Sequence, residues 1–400
     1  MQTVLEFQRV LLKVQASLTV EEVQDLVFLC SDLLSLKDLS TVTSAGQLFS
    51  LLENRDLLSW EDPSLLLELL RILKRNSLIR SLTSEDVMPT NGTTYSQQIS
   101  PYRQLLYELS ESICEQDLKN IKFLLLKTLP RKKLEKDTTL LQLFLEMEKE
   151  DLLVENNLDV LQKIIADINP SLEKRIIQYK TEKSLEVVFQ WLGFEVLTKQ
   201  NCDRHQILQV LRDLADRDHT STDCVVCCVL SHGQIKGIVG VDGQIVTYRE
   251  LIETLSPSQC PSLFKKPKLF FIQACRGTDD QPAAFPQIFP DDEVMPVSDA
   301  AVPRDSIPEM ADYLLAMSTV PHYVSYREKD NGTWFIQSLC HNLKLLVPRG
   351  VDLLSILTKV NSDVSKKTDK SGLKKQMPQP EFTLTKRVVF PPPKTRPPLP

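Results

Sequence analysis

No apolar stretch of this chain approaches the roughly 18 consecutive residues that a membrane-spanning helix needs. Runs such as 224–230 and 269–274 stop far short of that length and read as buried strands. The first turns carry Glu6, Arg9 and Lys13 through an amphipathic pattern, with neither the apolar core nor the small-residue cleavage site of a secretory signal. The protein is therefore expected in the cytosol, with no membrane insertion. Positive charge is not in excess: the formal net charge is −6, and no basic stripe is available to neutralise a phosphate backbone. Nucleic acid is not an expected partner.

Nine cysteines, an odd number scattered over the chain, do not form a disulfide framework, and a reducing compartment keeps them as thiols. Cys224, Cys227 and Cys228 lie close enough to raise the question of a metal. They sit in DCVVCCVL, however, where β-branched neighbours indicate a strand and alternation points Cys227 away from the other two. No second ligand pair with zinc-type spacing occurs elsewhere, so no metal is expected, and nothing implies an organic cofactor. With 42% hydrophobic and 25% charged residues, the 400-residue chain has room for two or three cores.

Glycine is missing from most of the first half. Only Gly46 and Gly92 precede residue 190, whereas nine follow from Gly193 onward, so a helical half is expected before a half with strands and tight turns. The helical half repeats itself at an offset of 95 residues. Phe28-Leu29 falls on Phe123-Leu124, Leu39 on Leu134, Leu48-Phe49 on Leu143-Phe144 and Asp56-Leu57-Leu58 on Asp151-Leu152-Leu153, without a gap. Two copies at fixed offset indicate a duplicated small helical bundle, not a solenoid. Their expected extents are 1–80 and 98–175, joined by MPTNGTTYSQQIS. After the charged stretch RIIQYKTEKS come strand candidates at 224–230, 238–241 and 269–274, with helical patterns HQILQVLRDLAD and YRELIETL between them, which predicts an α/β domain over 184–400. Residues 278–309 read as a long exposed loop, and the tail FPPPKTRPPLP as extended and frayed.

Two strand ends carry the chemistry. The run at 225–230 stops at Ser231-His232-Gly233 and the run at 269–274 at Cys275-Arg276-Gly277. In open α/β sheets the carboxyl ends of strands form the ligand crevice. If the two strands are neighbours, an imidazole and a thiol face one gap, where the base promotes thiolate formation and later protonates a leaving amine. The glycine after each residue lets backbone N–H groups approach a developing oxyanion. A lone histidine and a lone cysteine are more often structural, so the surrounding sequence has to decide.

That surrounding sequence is specific. QACRG at 273–277 matches the signature around a caspase nucleophile, and SHG at 231–233, KPKLFFIQAC, VSYR at 324–327, GTWFIQSLC at 332–340 and MPQPEFTLTKRVVF at 377–390 extend the likeness from about 187 to 390. The chain resembles initiator caspases of the caspase-8 and caspase-10 type, with the repeated half resembling tandem death effector domains. The resemblance implies two six-helix bundles followed by a caspase-type α/β domain, with large-subunit and small-subunit parts at 184–299 and 306–400. It implies Cys275 as nucleophile, His232 as its assistant, and the backbone N–H groups of Cys275 and Gly233 as the oxyanion site. A substrate aspartate needs cationic and hydrogen-bonding groups around its buried carboxylate; Arg327 and Gln273 match two of these, and Ser325, Tyr326 and Trp334 match the rest of the groove. Without the resemblance Arg327 reads as a solvated charge and Trp334 as a core aromatic. The implied partners are a death effector domain adaptor, further copies of the chain through these domains and through the caspase domain, and protein substrates including downstream caspases. Asp299 and, second, Asp305 are the implied processing sites. Phe28-Leu29 and Phe123-Leu124 stand where death effector domains expose a docking pair, with core packing the alternative for one residue of each.

The chain departs from the family's pattern in two places. Arg75-Asn76-Ser77-Leu78 lacks the acid of an Arg-x-Asp-Leu motif, which puts that charge contact in question. More seriously, YKTEK at 179–183 passes straight into SLEVVFQWLGF, so the family's first catalytic-domain strand and its substrate-binding arginine are missing, as in a shortened splice form or an incomplete gene model. Loss of an interior strand is expected to leave unpaired backbone groups and a gap in the core. Two readings follow: an aspartate-directed cysteine endopeptidase coupled to apoptosis, or a catalytically impaired adaptor or regulator acting through its helical domains.

Overall fold

A computed structural model describes residues 2–84, 98–282, 310–328, 332–369 and 371–398. The chain divides into two compact units, residues 1–179 and 180–400.

The first unit holds both helical repeats. The first comprises α1 (Gln2–Ser17), α2 (Val20–Leu29), α3 (Leu36–Leu39), α4 (Ala45–Glu53), α5 (Ser64–Ile72) and α6 (Asn76–Ser84). The second comprises α7 (Pro101–Ser112), α8 (Glu115–Leu124), a 3-10 turn (Arg131–Leu134) in place of α3, α9 (Leu140–Lys149), α10 (Asp159–Ile168) and the start of α11 (Pro170–Trp191). The offset of 95 is kept in three dimensions. α2 and α8 match end to end, and so do the 3-10 turns that follow them, Cys30–Asp32 and Leu125–Lys127. Asp56 and Asp151 share a left-handed backbone, at φ 55° and 54°. Capping boxes start α2 (Thr19, Glu22) in the first repeat and α9 (Thr139, Gln142) in the second, each satisfying otherwise orphaned helix N–H groups. Leu48 and Phe49 and their counterparts Leu143 and Phe144 are fully buried.

RIIQYKTEKS carries the boundary between the two units without a break in the helix. It lies inside α11, whose Leu172, Ile176 and Tyr179 belong to the core of the first unit and whose Leu185, Val188 and Phe189 belong to a core of the second.

In the second unit a four-stranded sheet is built from β1 (Val225–Leu230), β5 (Lys268–Gln273), β7 (Tyr313–Met317) and β11 (Gln379–Phe382), in that spatial order. The first three are parallel and β11 runs antiparallel to β7. β5 and β7 are buried throughout and apolar on both sides, as expected of a parallel strand covered on both faces. Leu269, Phe271, Leu314 and Ala316 pack against α14 (Trp334–Leu346), α15 (Leu353–Lys366) and the end of α11. Phe270, Ile272, Leu315 and Met317 pack on the other face against α12 (Arg204–Ala215) and α13 (Tyr248–Thr254). A small antiparallel sheet, β2 (His232–Gln234), β3 (Gly237–Val239) and β4 (Ile245–Thr247), accounts for the strand candidate at 238–241. Two short pairs complete the set: β6 (Gln281–Pro282) with β10 (Lys374–Lys375), and β8 (Arg327–Glu328) with β9 (Gly332–Thr333).

Two expectations need correction. The expected gap inside the sheet becomes a border: β1 is the edge strand, half-buried where β5 is fully buried, and no strand pairs with its outer side among the described residues. The tail is not frayed. Phe390 is buried with its ring edge-on to Phe194 at 5.7 Å, and the Thr395 carbonyl accepts the Trp191 indole N–H at 3.1 Å. A proline-rich segment lacks donors but keeps its carbonyls, and these satisfy side-chain donors on the surface it crosses.

Candidate active site and docking surfaces

β1 and β5 are neighbours in parallel register, with Leu230 opposite Gln273. His232 and Cys275 therefore leave the sheet at the same level, each two residues beyond its strand's last paired position. The Ser231 N–H donates to the Gln273 carbonyl at 3.1 Å, and its hydroxyl donates to the Val239 carbonyl at 2.6 Å, turning the chain into β2. Gly233 is then pressed onto the backbone of Ala274 and Cys275: a Cβ there would lie 2.4 Å from the Cys275 carbonyl oxygen and 2.7 Å from the Ala274 Cβ. No side chain fits, so the glycine is required by close approach. His232 is exposed and Cys275 partly so.

The Cys275 thiol accepts a hydrogen bond from the Ser325 N–H at 3.4 Å, and the Ser325 hydroxyl accepts one from Gln273 Nε2 at 2.8 Å. Gln273 Oε1 is buried without a partner among the described residues. Three of the sequence-selected residues are thus brought together at the sulfur. Tyr326 lies beside them, its N–H bonded to Gln376 Oε1 at 2.6 Å and its ring 5.1 Å from that of Trp334. Burial raises the Tyr326 phenol's pKa, and the hydroxyl donates to Asp280, which also pairs with Lys374 at 2.5 Å. Trp334 is 3% exposed and belongs to the apolar core, so the ring backs Tyr326 instead of standing open in a groove. Arg327 lies in β8 opposite Thr333. Asp299 and Asp305 lie outside the described residues.

Sequence reasoning missed the supports of the site. Ser318, fully buried beyond β7, accepts from the Ala274 N–H at 3.3 Å and donates to the Ala274 carbonyl at 3.0 Å, clamping the residue before Cys275. Arg276 is buried, donates to Gln379 Oε1 at 2.7 Å and lies 5.6 Å over the Tyr248 ring. Only the strand-end position of Ser318 hinted at its role. The cysteines of β1 and the one just before it divide between faces: Cys224 and Cys228 meet one apolar core and Cys227 the other. Burial pushes the Cys227 thiol up to about 12 and that of Cys224 to about 11, so they stay protonated.

In the helical unit the two Phe-Leu pairs differ. Phe28 and Leu29 are 2% and 0% exposed, which corrects the expectation of an exposed pair, whereas Phe123 and Leu124 are 71% and 44% exposed. Phe28 is covered by Arg103 of the second repeat, whose guanidinium lies 5.0 Å over the ring and pairs with Asp32 at 2.8 Å and Glu148 at 3.0 Å. Burial works against the Arg103 charge, but Glu148 and Asp32 outweigh it and hold the pKa above its ordinary value. The charge contact questioned at Arg75 forms with Glu22 instead, at 2.5 Å, and the hydrogen bond lowers the carboxyl's pKa.

Comparison with known proteins gives a caspase domain match at 174–389 and death effector domain matches at 7–85 and 102–182. The chain is 34% identical to caspase-8 of Mus musculus over 485 residues, covering 97% of the chain and all of that relative, and 34% identical to caspase-8 of Rattus norvegicus with the same coverage. It is 30% identical to caspase-10 of Homo sapiens over 470 residues, covering 87% of the chain and 88% of the relative. Laying 97% of this 400-residue chain over 485 positions leaves about a fifth of the mouse alignment without a residue here. Among the described residues, no helix is long and apolar enough to cross a membrane.

Proposed function

Because the chain belongs to the caspase family, with two death effector domains ahead of the caspase domain, we propose that it is a cytosolic initiator endopeptidase that cleaves after aspartate and activates downstream caspases in apoptosis. The observation that carries this reading is the contact of Gly233 with the backbone of Cys275, where the two strand ends bearing the base and the nucleophile converge.

In this mechanism the Cys275 thiolate attacks the scissile carbonyl and His232 protonates the departing amine. The N–H groups of Gly233 and Cys275 receive the oxyanion, and water then hydrolyses the thioester. Gln273 and Arg327 hold the substrate carboxylate, while Ser325 and Tyr326 line its approach. The Ser325 N–H now on the sulfur must yield when substrate enters. Cuts at Asp299 and Asp305 would separate the large and small subunits. Recruitment runs through a death effector domain adaptor and through self-association, supported by the exposed Phe123-Leu124 pair. Activity comes with dimerisation of the caspase domain.

A second reading, a catalytically impaired adaptor, is favoured by one feature: the unpaired outer border of β1. Cleavage of a fluorogenic peptide with aspartate before the scissile bond separates the two.

A further inference from the structure

The proline-rich segment FPPPKTRPPLP has no task in the protease reading. Six of the ten residues at 391–400 are proline, and residues 382–400 hold four cations, Lys386, Arg387, Lys394 and Arg396, and no acid. The chain as a whole carries a net charge of −6, so this basic character is local. Within the segment Lys394, Pro397 and Pro400 stand three residues apart. Three is the period of the polyproline II helix, so an extended chain puts them in one row and Arg396 and Leu399 in a second.

The lead-in to this segment is anchored. The Val388 carbonyl accepts the Leu353 N–H at 2.8 Å, and Phe390 is buried against Phe194. Beyond Phe390 the segment is held through two backbone carbonyls. That of Thr395 accepts the Trp191 indole N–H of α11 at 3.1 Å, and that of Pro398 accepts from Lys344 Nζ of α14 at 3.4 Å. Thr395 and Pro398 are again three apart and belong to the third row. Every residue type supplies a carbonyl, so these contacts explain neither the prolines nor the cations. Lys394, Arg396 and Pro397 are exposed, and the chain bends at Lys394–Thr395, where Trp191 holds it.

We infer that residues 394–400 are a ligand for a partner protein carrying an SH3-type groove, in which aromatic side chains receive the prolines and carboxylates at one end receive Lys394. The spacing cation-x-x-Pro-x-x-Pro gives each part of such a groove one contact. The prolines hold φ at the polyproline II value beforehand, which limits the entropy lost on binding. Charge complementarity selects among proline-binding grooves, since one without an acidic end leaves Lys394 unpaired. The bend must straighten for Lys394 to join the row of Pro397 and Pro400, and this withdraws the Thr395 carbonyl from Trp191. The contact with α11 and the bound state therefore exclude each other. None of this depends on proteolysis.

The test titrates the full chain carrying Cys275→Ala with a panel of isolated SH3 domains whose grooves end in carboxylates, and with an isolated WW domain for comparison. Calorimetry gives the affinity, and NMR shifts of the labelled SH3 domain locate the contact. A one-to-one complex in the aromatic groove is expected. Lys394→Glu and Pro397→Ala should each weaken it by about tenfold or more, whereas Pro391→Ala, outside the spacing, should leave it unchanged. Trp191→Phe keeps a ring but removes the indole N–H, and should tighten binding about fivefold, the worth of one hydrogen bond. Circular dichroism melting establishes that each variant is folded. The inference is overturned if no SH3 domain binds the folded Trp191→Phe chain, if Lys394→Glu and Pro397→Ala bind like the parent, or if only the WW domain binds. Binding that needs Lys394 and Pro397 but ignores Trp191→Phe supports the ligand and overturns its competition with α11.

Discussion

A single missing side chain fixes the geometry of the candidate active-site crevice. A methyl group at Gly233 would collide with the Cys275 carbonyl at 2.4 Å, and neither backbone can retreat: Ser231 is tied to Gln273, and Ala274 to Ser318. Gly233→Ala should therefore lower kcat/KM by about 100-fold, the cost of roughly an ångström of misplacement, with the chain still folded by circular dichroism. Asp25 offers a residue-scale test in the helical unit. Burial, with Glu111, Glu22 and Glu21 nearby, raises its carboxyl from 3.8 to about 6. A raised acid binds its proton more tightly in the fold, so its stabilising contribution is complete below the unfolded value and is lost as pH rises through about 6. Asp25→Asn should raise the melting temperature of the helical unit by a few degrees near pH 7.5, about 1 kcal/mol after allowing for partial exposure, and do little near pH 4. Melting curves at the two pH values check this. The placement of Cys275 and His232 was legible because apolar runs end visibly and glycine follows each. Ser318, Arg276 and Gln376 were not, because their roles depend on which strands become neighbours.

Among the elements, the contrast between Phe28 and Phe123 is the instructive one. The same dipeptide at equivalent positions is buried in one repeat and exposed in the other, because only the first meets Arg103. Periodicity marked both as apolar and had no access to the junction that separates them. Arg103→Ala would take the cation from Glu148 and Asp32, leaving them the Tyr102 and Ser100 hydroxyls, and uncover Phe28, at a cost of about 2 kcal/mol once the partial exposure of Asp32 is allowed for. The expected result is a lower melting temperature for the helical unit and increased binding of a hydrophobic dye; an unchanged melt would mean that apolar contacts alone join the repeats. The sheet carries the same lesson. The sequence led to the expectation of an interior gap, yet among the described residues β5 and β7 form the centre and β1 is an edge. Strand order is a long-range property that no local pattern records. The tail was misread for a related reason: Phe390 is held by Phe194, nearly two hundred residues earlier in the chain.

The whole molecule joins a duplicated helical unit to a parallel-sheet domain through one helix, α11. The 95-residue repeat and the change in glycine usage made this division readable from sequence, although the boundary falls inside a continuous helix at the charged stretch 175–184. At this scale the account's central claim is that Cys275 and His232 form a working aspartate-directed protease despite the shortened sheet. The most direct measurement is hydrolysis of a fluorogenic aspartate peptide by the purified chain under forced dimerisation, beside Cys275→Ala. The account predicts hydrolysis that requires dimerisation and disappears in the variant. A folded, dimerised chain with no more activity than Cys275→Ala would contradict it and leave the adaptor reading in its place.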